Sequence, residues 1–216
     1  MKTTLIDSPV ANTANIARAL RAAGAELQIT SDPDVIARAL RVVGAELEVT
    51  RDVSTIAGAR KLVLPGVGSF VAATRWLTEN KIDTAIREAV NGGASLLGIC
   101  VGHQLLFDSS NEMGNTPGLG LVRGEVRQFD GILPVPQIGW NRVAARGPLF
   151  ESVENDVFYF VNSYAAMNAP DEIGRADYGG PFTAAVQRER VFGVQFHPEK
   201  SSAAGLRVLR NYVAWT

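Results

Sequence analysis

The sequence is poor in residues that bind metals or form disulfides. Its 216 residues include one cysteine, Cys100, and two histidines, His103 and His197. One cysteine cannot form an internal disulfide, and these three residues do not make up the ligand cluster of a zinc site. Neither a metal ion nor an organic cofactor is therefore implied, and any catalysis must depend on few side chains.

The sequence also lacks a charge bias and a long apolar run. Its 21 basic and 22 acidic residues nearly balance, and no basic cluster is interleaved with aromatic residues, which argues against a nucleic acid partner. No apolar run approaches the roughly 18 residues of a membrane span, and the N-terminal residues lack the apolar region of a signal peptide. With 46% hydrophobic residues, the chain is expected to form a single cytoplasmic domain over residues 1–216.

Short apolar runs alternate with helical patterns in the first half of the chain. Strand patterns at TTLI, KLVLPG and SLLGIC flank helical ones at DVIARALRVVG and SFVAATRWLTENKIDTAIREAVNGG. This alternation predicts an α/β fold with a mostly parallel central sheet flanked by helices. In the second half, RGEVRQFDG, FYFVNSYA and FTAAVQRERVFGVQFH predict shorter strands of an additional antiparallel sheet, and SAAGLRVLRNYVAW predicts a closing helix.

Residues 16–32 and 36–52 repeat one helix-strand unit. The segments IARALRAAGAELQITSD and IARALRVVGAELEVTRD agree at most positions at an offset of 20 residues. Two copies are too few for a solenoid, which needs at least about three. The unit is interpreted as a local tandem duplication, which either adds a helix and strand at the sheet edge or leaves one copy as surplus chain.

Cys100 lies between two glycines at a predicted strand-to-helix turn. The segment Gly98-Ile-Cys100-Val-Gly102 follows a buried-strand pattern and precedes the helical pattern HQLLF. It is the thiol counterpart of the nucleophile elbow, in which glycines permit a strained turn and the helix start favours a thiolate. A lone cysteine is more often a buried core residue, but the flanking glycines favour a nucleophile.

A thiolate nucleophile needs a base, and FGVQFHPEKS supplies one. Pro198 favours extended geometry at His197, so His197 and Glu199 should point the same way and pair. Alone, this motif would fit a capped turn; with the elbow it indicates a Cys-His-Glu arrangement. A third motif, KLVLPGVGSF, ends a strand with glycines that expose backbone amides, which suits an oxyanion donor as well as an ordinary turn.

In this order over nearly the whole chain, the three motifs resemble those of the class I glutamine amidotransferases, whose fold is flavodoxin-like. LPGVGSF, VPQIGWN, YFVNSYA and FGVQFHPEKS further resemble the glutaminase subunits of imidazole glycerol phosphate synthase, the HisH family. The resemblance implies hydrolysis of glutamine through a cysteinyl thioester and delivery of ammonia to a cyclase subunit of the HisF type, a (β/α)₈ barrel. That cyclase would convert the ribulosyl substrate PRFAR to imidazole glycerol phosphate and AICAR in histidine biosynthesis.

The same resemblance assigns roles to individual residues. Cys100 would be the nucleophile, His197 the general base and then the acid, and Glu199 the orienting carboxylate. The other residues would form the oxyanion hole at Gly68 and Val101, the glutamine site at Gly66, Gln104, Glu112, Ser163 and Tyr164, and the cyclase interface at Asn12, Trp140, Asn141 and Lys200. A partly buried aromatic plug is an equal alternative for Trp140.

Three features depart from the family pattern. The segment DSPVAN at 7–12 replaces the usual DYGxGN, the duplication follows at once, and His103 gives GHQ where the family usually has methionine. His103 is interpreted as a packed histidine, because His197 already has the carboxylate partner.

Three other interpretations stay open. GHQ favours the glutaminase of an anthranilate or aminodeoxychorismate synthase, although PGVGSF and IGWN argue against it. DSPVAN and the duplication favour an uncoupled regulatory protein with this fold, although the intact set of Cys100, His197 and Glu199 argues against it. The repeat would also fit an engineered or selected variant with two competing registers, which two ordered and similarly buried copies would contradict.

Overall fold

The computed structural model describes residues 2–8, 33–66 and 68–216. The first copy of the repeat, at 16–32, lies outside the described residues, as do Asn12 and Val67. The second copy is described and forms a helix followed by a strand at the edge of the described sheet.

The parallel half of the molecule follows the predicted alternation. Its strands lie in the order β2-β1-β3-β4-β14, each parallel to its neighbour. The interior strands of this half are buried along their whole length, which is why they read as continuous apolar runs rather than alternating patterns. The bounds are β1 Thr3–Ile6, β2 Leu47–Thr50, β3 Lys61–Gly66, β4 Ser95–Cys100 and β14 Val191–Val194.

Six helices among the described residues cover this sheet. They are α1 Pro33–Val42, α2 Val53–Ala57, α3 Phe70–Glu79, α4 Ile82–Asn91, α5 Val101–Leu105 and α6 Ser202–Ala214.

The structure corrects two details of the helix prediction. The stretch expected as one helix divides into α3 and α4, because Lys81 adopts a left-handed conformation with φ of 59°. The five-residue α2 was missed, since it is too short to show a period; Asp52 caps it by accepting from the Thr55 amide.

The antiparallel strands of the second half extend the same large sheet. Strand β14 pairs with β13 on its other side, and β11, β7, β5 and β6 continue the order, while β12 pairs with both β13 and β9. The bounds are β5 Ser109–Ser110, β6 Thr116–Pro117, β7 Glu125–Gln128, β9 Ala144–Ala145, β11 Tyr164–Ala166, β12 Glu172–Asp177 and β13 Pro181–Arg188. The sheet of the described residues is therefore mixed, parallel at one end and largely antiparallel at the other.

A separate two-stranded antiparallel sheet consists of β8 Gln137–Arg142 and β10 Val157–Asn162. It confirms the additional antiparallel sheet that the sequence predicts. The segment FYFVNSYA, expected as one strand, divides at Ser163 between this sheet and β11 of the large one. Asn162 stabilises the division, since its Nδ2 donates to the Tyr164 carbonyl oxygen at 3.0 Å.

Among the described residues, none of the helices is long and apolar enough to cross a membrane. No group of three or more potential metal-binding side chains occurs in the same residues.

Candidate active site

Cys100 occupies a strained position at the end of β4. Its φ is 55° and its ψ is −113°, values that an L-residue rarely adopts, and α5 begins at the next residue. The side chain is buried, with 4% of its surface exposed. The turn places the sulfur at the carboxyl edge of the parallel strands, where open α/β sheets bind ligands.

The glycines around Cys100 allow backbones to touch. A Cβ on Gly98 would lie 2.6 Å from the Gly102 carbonyl oxygen, and one on Gly66 would lie 2.5 Å from the Gly102 amide nitrogen. A Cβ on Gly102 would overlap the Leu64 carbonyl oxygen. From the sequence, these glycines were expected to permit the strained turn itself. In the structure the unusual φ belongs to Cys100, and the glycines bring β3, β4 and α5 into contact.

His197 follows β14 and is fixed by several hydrogen bonds. Its amide donates to the Tyr159 carbonyl oxygen at 2.9 Å, and its own carbonyl oxygen accepts from the Ser201 hydroxyl at 2.6 Å. Its Nδ1 lies 2.8 Å from Oε1 of Glu199, and these two side chains are 4% and 0% exposed. His197 itself is extended, as expected, with φ of −97° and ψ of 96°, and the predicted pairing with Glu199 occurs. The extended segment does not continue, because Pro198–Lys200 form a 3₁₀ turn.

The charges around His197 favour its protonated form. Burial by itself lowers the pKa of this imidazole, but the negative charges of Cys100 and Glu199 and its hydrogen bonds to both raise the pKa to about 10. The site therefore favours an imidazolium that faces the Glu199 carboxylate. A histidine that binds a proton in this position suits the base that a cysteine nucleophile needs.

Two polar groups approach the Cys100 sulfur, one from β10 of the small sheet and one from the residue that follows β14. The Val161 carbonyl oxygen of β10 lies 3.9 Å from Sγ, and Nε2 of Gln195 lies 4.0 Å from it. Because β4 and β14 are parallel neighbours, their carboxyl ends bring Cys100 and His197 together from positions 97 residues apart.

The residues expected to bind glutamine lie around the same edge. Nε2 of Gln104 donates to the Tyr164 carbonyl oxygen at 2.9 Å, and Ser163 joins β10 to β11. Glu112 accepts from the Phe70 amide at 2.6 Å, at the start of α3. Burial raises the pKa of Glu112, and burial together with the Glu112 charge raises the pKa of Tyr164.

The two residues expected in the oxyanion hole flank the same turn. Gly68 has φ of 87° and follows β3 by two residues, while Val101 is the first residue of α5. Gly66, the last residue of β3, is the register partner of Cys100. All three backbones therefore lie at the carboxyl end of β3 and β4.

The predicted interface residues within the described chain occupy the small sheet and the turn after His197. Trp140 on β8 is 52% exposed, and its ring contacts that of Tyr159 edge-on at 5.9 Å. Nδ2 of Asn141 donates to the Asp177 carbonyl oxygen at 2.8 Å. The Lys200 amide donates to the His197 carbonyl oxygen at 3.0 Å.

Sequence reasoning missed two residues of this region. Gln195 touches the Cys100 sulfur, and Ser201 joins the His197 carbonyl oxygen to the Tyr159 amide. The spacing carried a signal for Gln195, because it precedes His197 by two residues and so shares its side of the chain. The position of Ser201 gave no such signal, since its partner Tyr159 is distant in sequence.

His103 is a packed histidine, as interpreted from the sequence. It is fully buried beside Phe107, and burial lowers its pKa to about 3. Within the described part of the chain, neither ring nitrogen has a hydrogen-bond partner.

This combination of a mixed α/β sheet and a cysteine elbow beside a His-Glu pair defines a class of enzyme. The family described as "Glutamine amidotransferase class-I" matches residues 4–214. Two solved structures share the fold: PurLQS from Thermotoga maritima, with a TM-score of 0.70, 17% identity and 98% and 96% of the two chains covered, and a glutamine amidotransferase with a TM-score of 0.67, 20% identity and 84% and 92% covered. The chain belongs to the class I glutamine amidotransferases.

Curated relatives narrow this class to one family. The chain is 39% identical to the "Imidazole glycerol phosphate synthase subunit HisH" of Caulobacter vibrioides, with 98% of this chain and 97% of the relative covered. It is 43% identical to the HisH subunit of Moorella thermoacetica, with 96% and 92% covered, and 42% identical to that of Thermococcus kodakarensis, with 96% and 97% covered. Within the amidotransferases, the chain is a member of the HisH family, enzymes of histidine biosynthesis.

Proposed function

We propose that the chain hydrolyses glutamine with Cys100, His197 and Glu199 as its catalytic residues and supplies the ammonia to a cyclase subunit. One observation carries the proposal: the strained Cys100 ends β4 beside β14, the strand that leads to His197, a buried imidazole whose Nδ1 lies 2.8 Å from the Glu199 carboxylate. The family match over 4–214 supports a single amidotransferase domain over 1–216.

The reaction follows from the proton positions. His197 takes the proton of the Cys100 thiol as general base, and the thiolate attacks the side-chain carbonyl carbon of glutamine. The imidazolium then acts as acid and donates that proton to the departing nitrogen. Ammonia leaves and a thioester on Cys100 remains. His197, now neutral, takes a proton from water, which attacks the thioester and releases glutamate. Glu199 keeps the ring oriented throughout, since it accepts from Nδ1.

The tetrahedral intermediates carry an oxyanion, for which we assign the amides of Gly68 and Val101 as donors. Both amides belong to the backbone at the carboxyl ends of β3 and β4, next to Cys100. We assign Gly66, Gln104, Glu112, Ser163 and Tyr164 to glutamine binding. Glu112 supplies a negative charge there, which suits the α-amino group of the substrate.

The partner is inferred from the relatives, whose name makes them subunits of imidazole glycerol phosphate synthase. We propose that a HisF-type (β/α)₈ cyclase receives the ammonia and converts PRFAR to imidazole glycerol phosphate and AICAR. Trp140, Asn141 and Lys200 are assigned to the interface, together with Asn12 outside the described residues. Trp140 supports this placement, because a half-exposed tryptophan is a frequent interface anchor and its ring contacts Tyr159, whose backbone binds His197.

The deciding experiment measures glutamine hydrolysis by the purified chain alone and with a cyclase subunit and its ligand. We expect low turnover alone and a large rise with the partner, since a glycine-rich PGVG strand end can be held in an unproductive state until binding shifts its population. Strong activity without a partner would contradict the coupling, and no activity in either case would contradict the glutaminase itself.

Two variants separate catalysis from coupling. Cys100→Ala should abolish glutaminase activity and leave ammonia-driven synthesis by the complex. Trp140→Ala should weaken the stimulation by the cyclase, whereas Val42→Ala, which changes a 64% exposed side chain on α1, serves as its surface control. Equal stimulation of both would remove Trp140 from the proposed interface.

A further inference from the structure

A chain of two buried glutamine side chains ends at the Cys100 sulfur. Gln195 is fully buried, and its Nε2 lies 4.0 Å from Sγ. Its Oε1 accepts from Nε2 of Gln104 at 3.0 Å, and that same nitrogen donates to the Tyr164 carbonyl oxygen at 2.9 Å. The backbone of β11 is thereby connected to the reacting atom through two amides.

The hydrogen bonds determine which way each amide faces. The Tyr164 carbonyl oxygen can only accept, so the group of Gln104 that meets it must be the NH₂. The second hydrogen of that NH₂ points to Gln195, which must present its oxygen there. The NH₂ of Gln195 is then left facing the sulfur of Cys100.

The sulfur therefore lies between groups with opposite preferences. The Val161 carbonyl oxygen, 3.9 Å from Sγ, accepts from a thiol and repels a thiolate. The NH₂ of Gln195 donates to the sulfur, and this hydrogen bond is stronger when the sulfur is a charged thiolate than when it is a neutral thiol. The imidazolium of His197, which is paired with Glu199, also favours the thiolate. Loss of the Gln195 donor would leave His197 alone to oppose the Val161 carbonyl oxygen and would shift the balance towards the neutral thiol.

We propose that Gln195 is a catalytic contact that stabilises the Cys100 thiolate, and that Gln104 is the positioning residue that holds the Gln195 amide in the donating orientation. The proposal rests on Cys100 being the nucleophile of the proposed function. It also gives Gln104 a role beyond the substrate contact assigned to it above.

The test uses the rate at which iodoacetamide alkylates the protein as a function of pH. Because the chain has one cysteine, the rate reports Cys100 alone. Gln195→Met keeps a side chain of similar length without a donor, and we expect alkylation about tenfold slower at neutral pH, with the half-maximal rate moved to higher pH, as for one lost hydrogen bond to a charged group. Gln187→Met on β13 is the matched control and should behave as the wild type.

The positioning role has its own readout. Gln104→Met should slow alkylation in the same direction by a smaller factor. The double variant should be no slower than Gln195→Met alone, because both changes act on one hydrogen bond. Additive effects would overturn the positioning role, and a pH profile of Gln195→Met that superimposes on the wild type would overturn the thiolate contact.

A measurement on the wild type covers the case in which Gln195→Met does not fold. In ¹⁵N-labelled protein, the side-chain amide resonance of Gln195 should move with the same pH midpoint as alkylation, and Cys100→Ala should abolish that movement. An unchanged resonance overturns the proposal. These readouts need no glutamine, so they remain decisive even if hydrolysis is absent and the proposed function fails.

Discussion

The two sides of the candidate active site are held in place by different forces. The Cys100 turn has no side-chain cap, and it depends on backbone contacts at Gly66, Gly98 and Gly102. The His197 turn depends on a hydrogen bond that His197 donates to Tyr159, on hydrogen bonds that it accepts from Lys200 and Ser201, and on the Glu199 carboxylate.

The base side also has one steric contact of its own, behind the turn. Gly205 of α6 packs too closely on the Pro198 carbonyl oxygen for a Cβ to fit. Close backbone contacts leave no room for an added atom, so one substitution can disrupt the whole turn. A turn held by several hydrogen bonds can lose one of them and keep the others. The nucleophile side should therefore tolerate substitution less than the base side.

The largest effect is expected for Gly102→Ala on the nucleophile side. The added Cβ would overlap the Leu64 carbonyl oxygen, which belongs to a buried strand and cannot move freely. We expect a loss of at least about 3 kcal/mol in the free energy of unfolding, measured by urea denaturation, or failure to fold. Gly58→Ala is the control, because its Cβ would make only an ordinary contact of 3.4 Å with the Ser54 carbonyl oxygen. Equal stabilities of the two variants would refute the steric account.

A smaller effect is expected for Ser201→Ala on the base side. The buried hydroxyl accepts from the Tyr159 amide at 2.9 Å and donates to the His197 carbonyl oxygen at 2.6 Å, so its removal leaves the amide without that partner. We expect a loss of about 1–3 kcal/mol in the free energy of unfolding, with the fold retained. Ser202→Ala, at an exposed neighbouring position, should change stability by less than about 0.5 kcal/mol. A Ser201→Ala variant as unstable as Gly102→Ala would remove the distinction between the two sides.

The effect that is smallest at neutral pH, and that grows only with acidification, is expected at His103, behind the nucleophile turn. Its pKa is lowered to about 3 from 6.5, so between these values the unfolded chain binds a proton that the folded chain does not. The contribution of His103 to the free energy of unfolding is therefore complete above pH 6.5. Below that pH it falls by about 1.4 kcal/mol per pH unit until the pH reaches the folded-state pKa of about 3. His103→Met should reduce this acid sensitivity, as measured by urea denaturation from pH 7 to 4.

The other histidine does not obscure this test. The pKa of His197 is raised, so the stability it contributes is complete below 6.5 and lost only as the pH rises towards 10. An acid limb that is identical in His103→Met and in the wild type would show that His103 is not buried as a neutral ring.

Local patterns in the sequence were sufficient for most of the fold and for the central residues of the site. Buried apolar runs predicted β1, β3 and β4, and helical periodicity predicted α1 and α6. The Gly98-Cys100-Gly102 spacing predicted the elbow, because glycines two residues either side of a nucleophile are typical of a tight strand-to-helix turn. The break at Lys81 and the division at Ser163 were missed, since neither position differs in composition from the segments around it.

The sequence by itself therefore determined the elements, the elbow and the His-Glu pair, because each depends on residues within a few positions of one another. Only the tertiary structure decided that β14 lies beside β4, that Val161 and Gln195 flank the sulfur, and that Ser201 connects His197 to Tyr159. These contacts join residues between 42 and 95 positions apart. No local period encodes them, because they arise from the order in which strands pair within the sheets and from the approach of β10 to Cys100 at the end of β4.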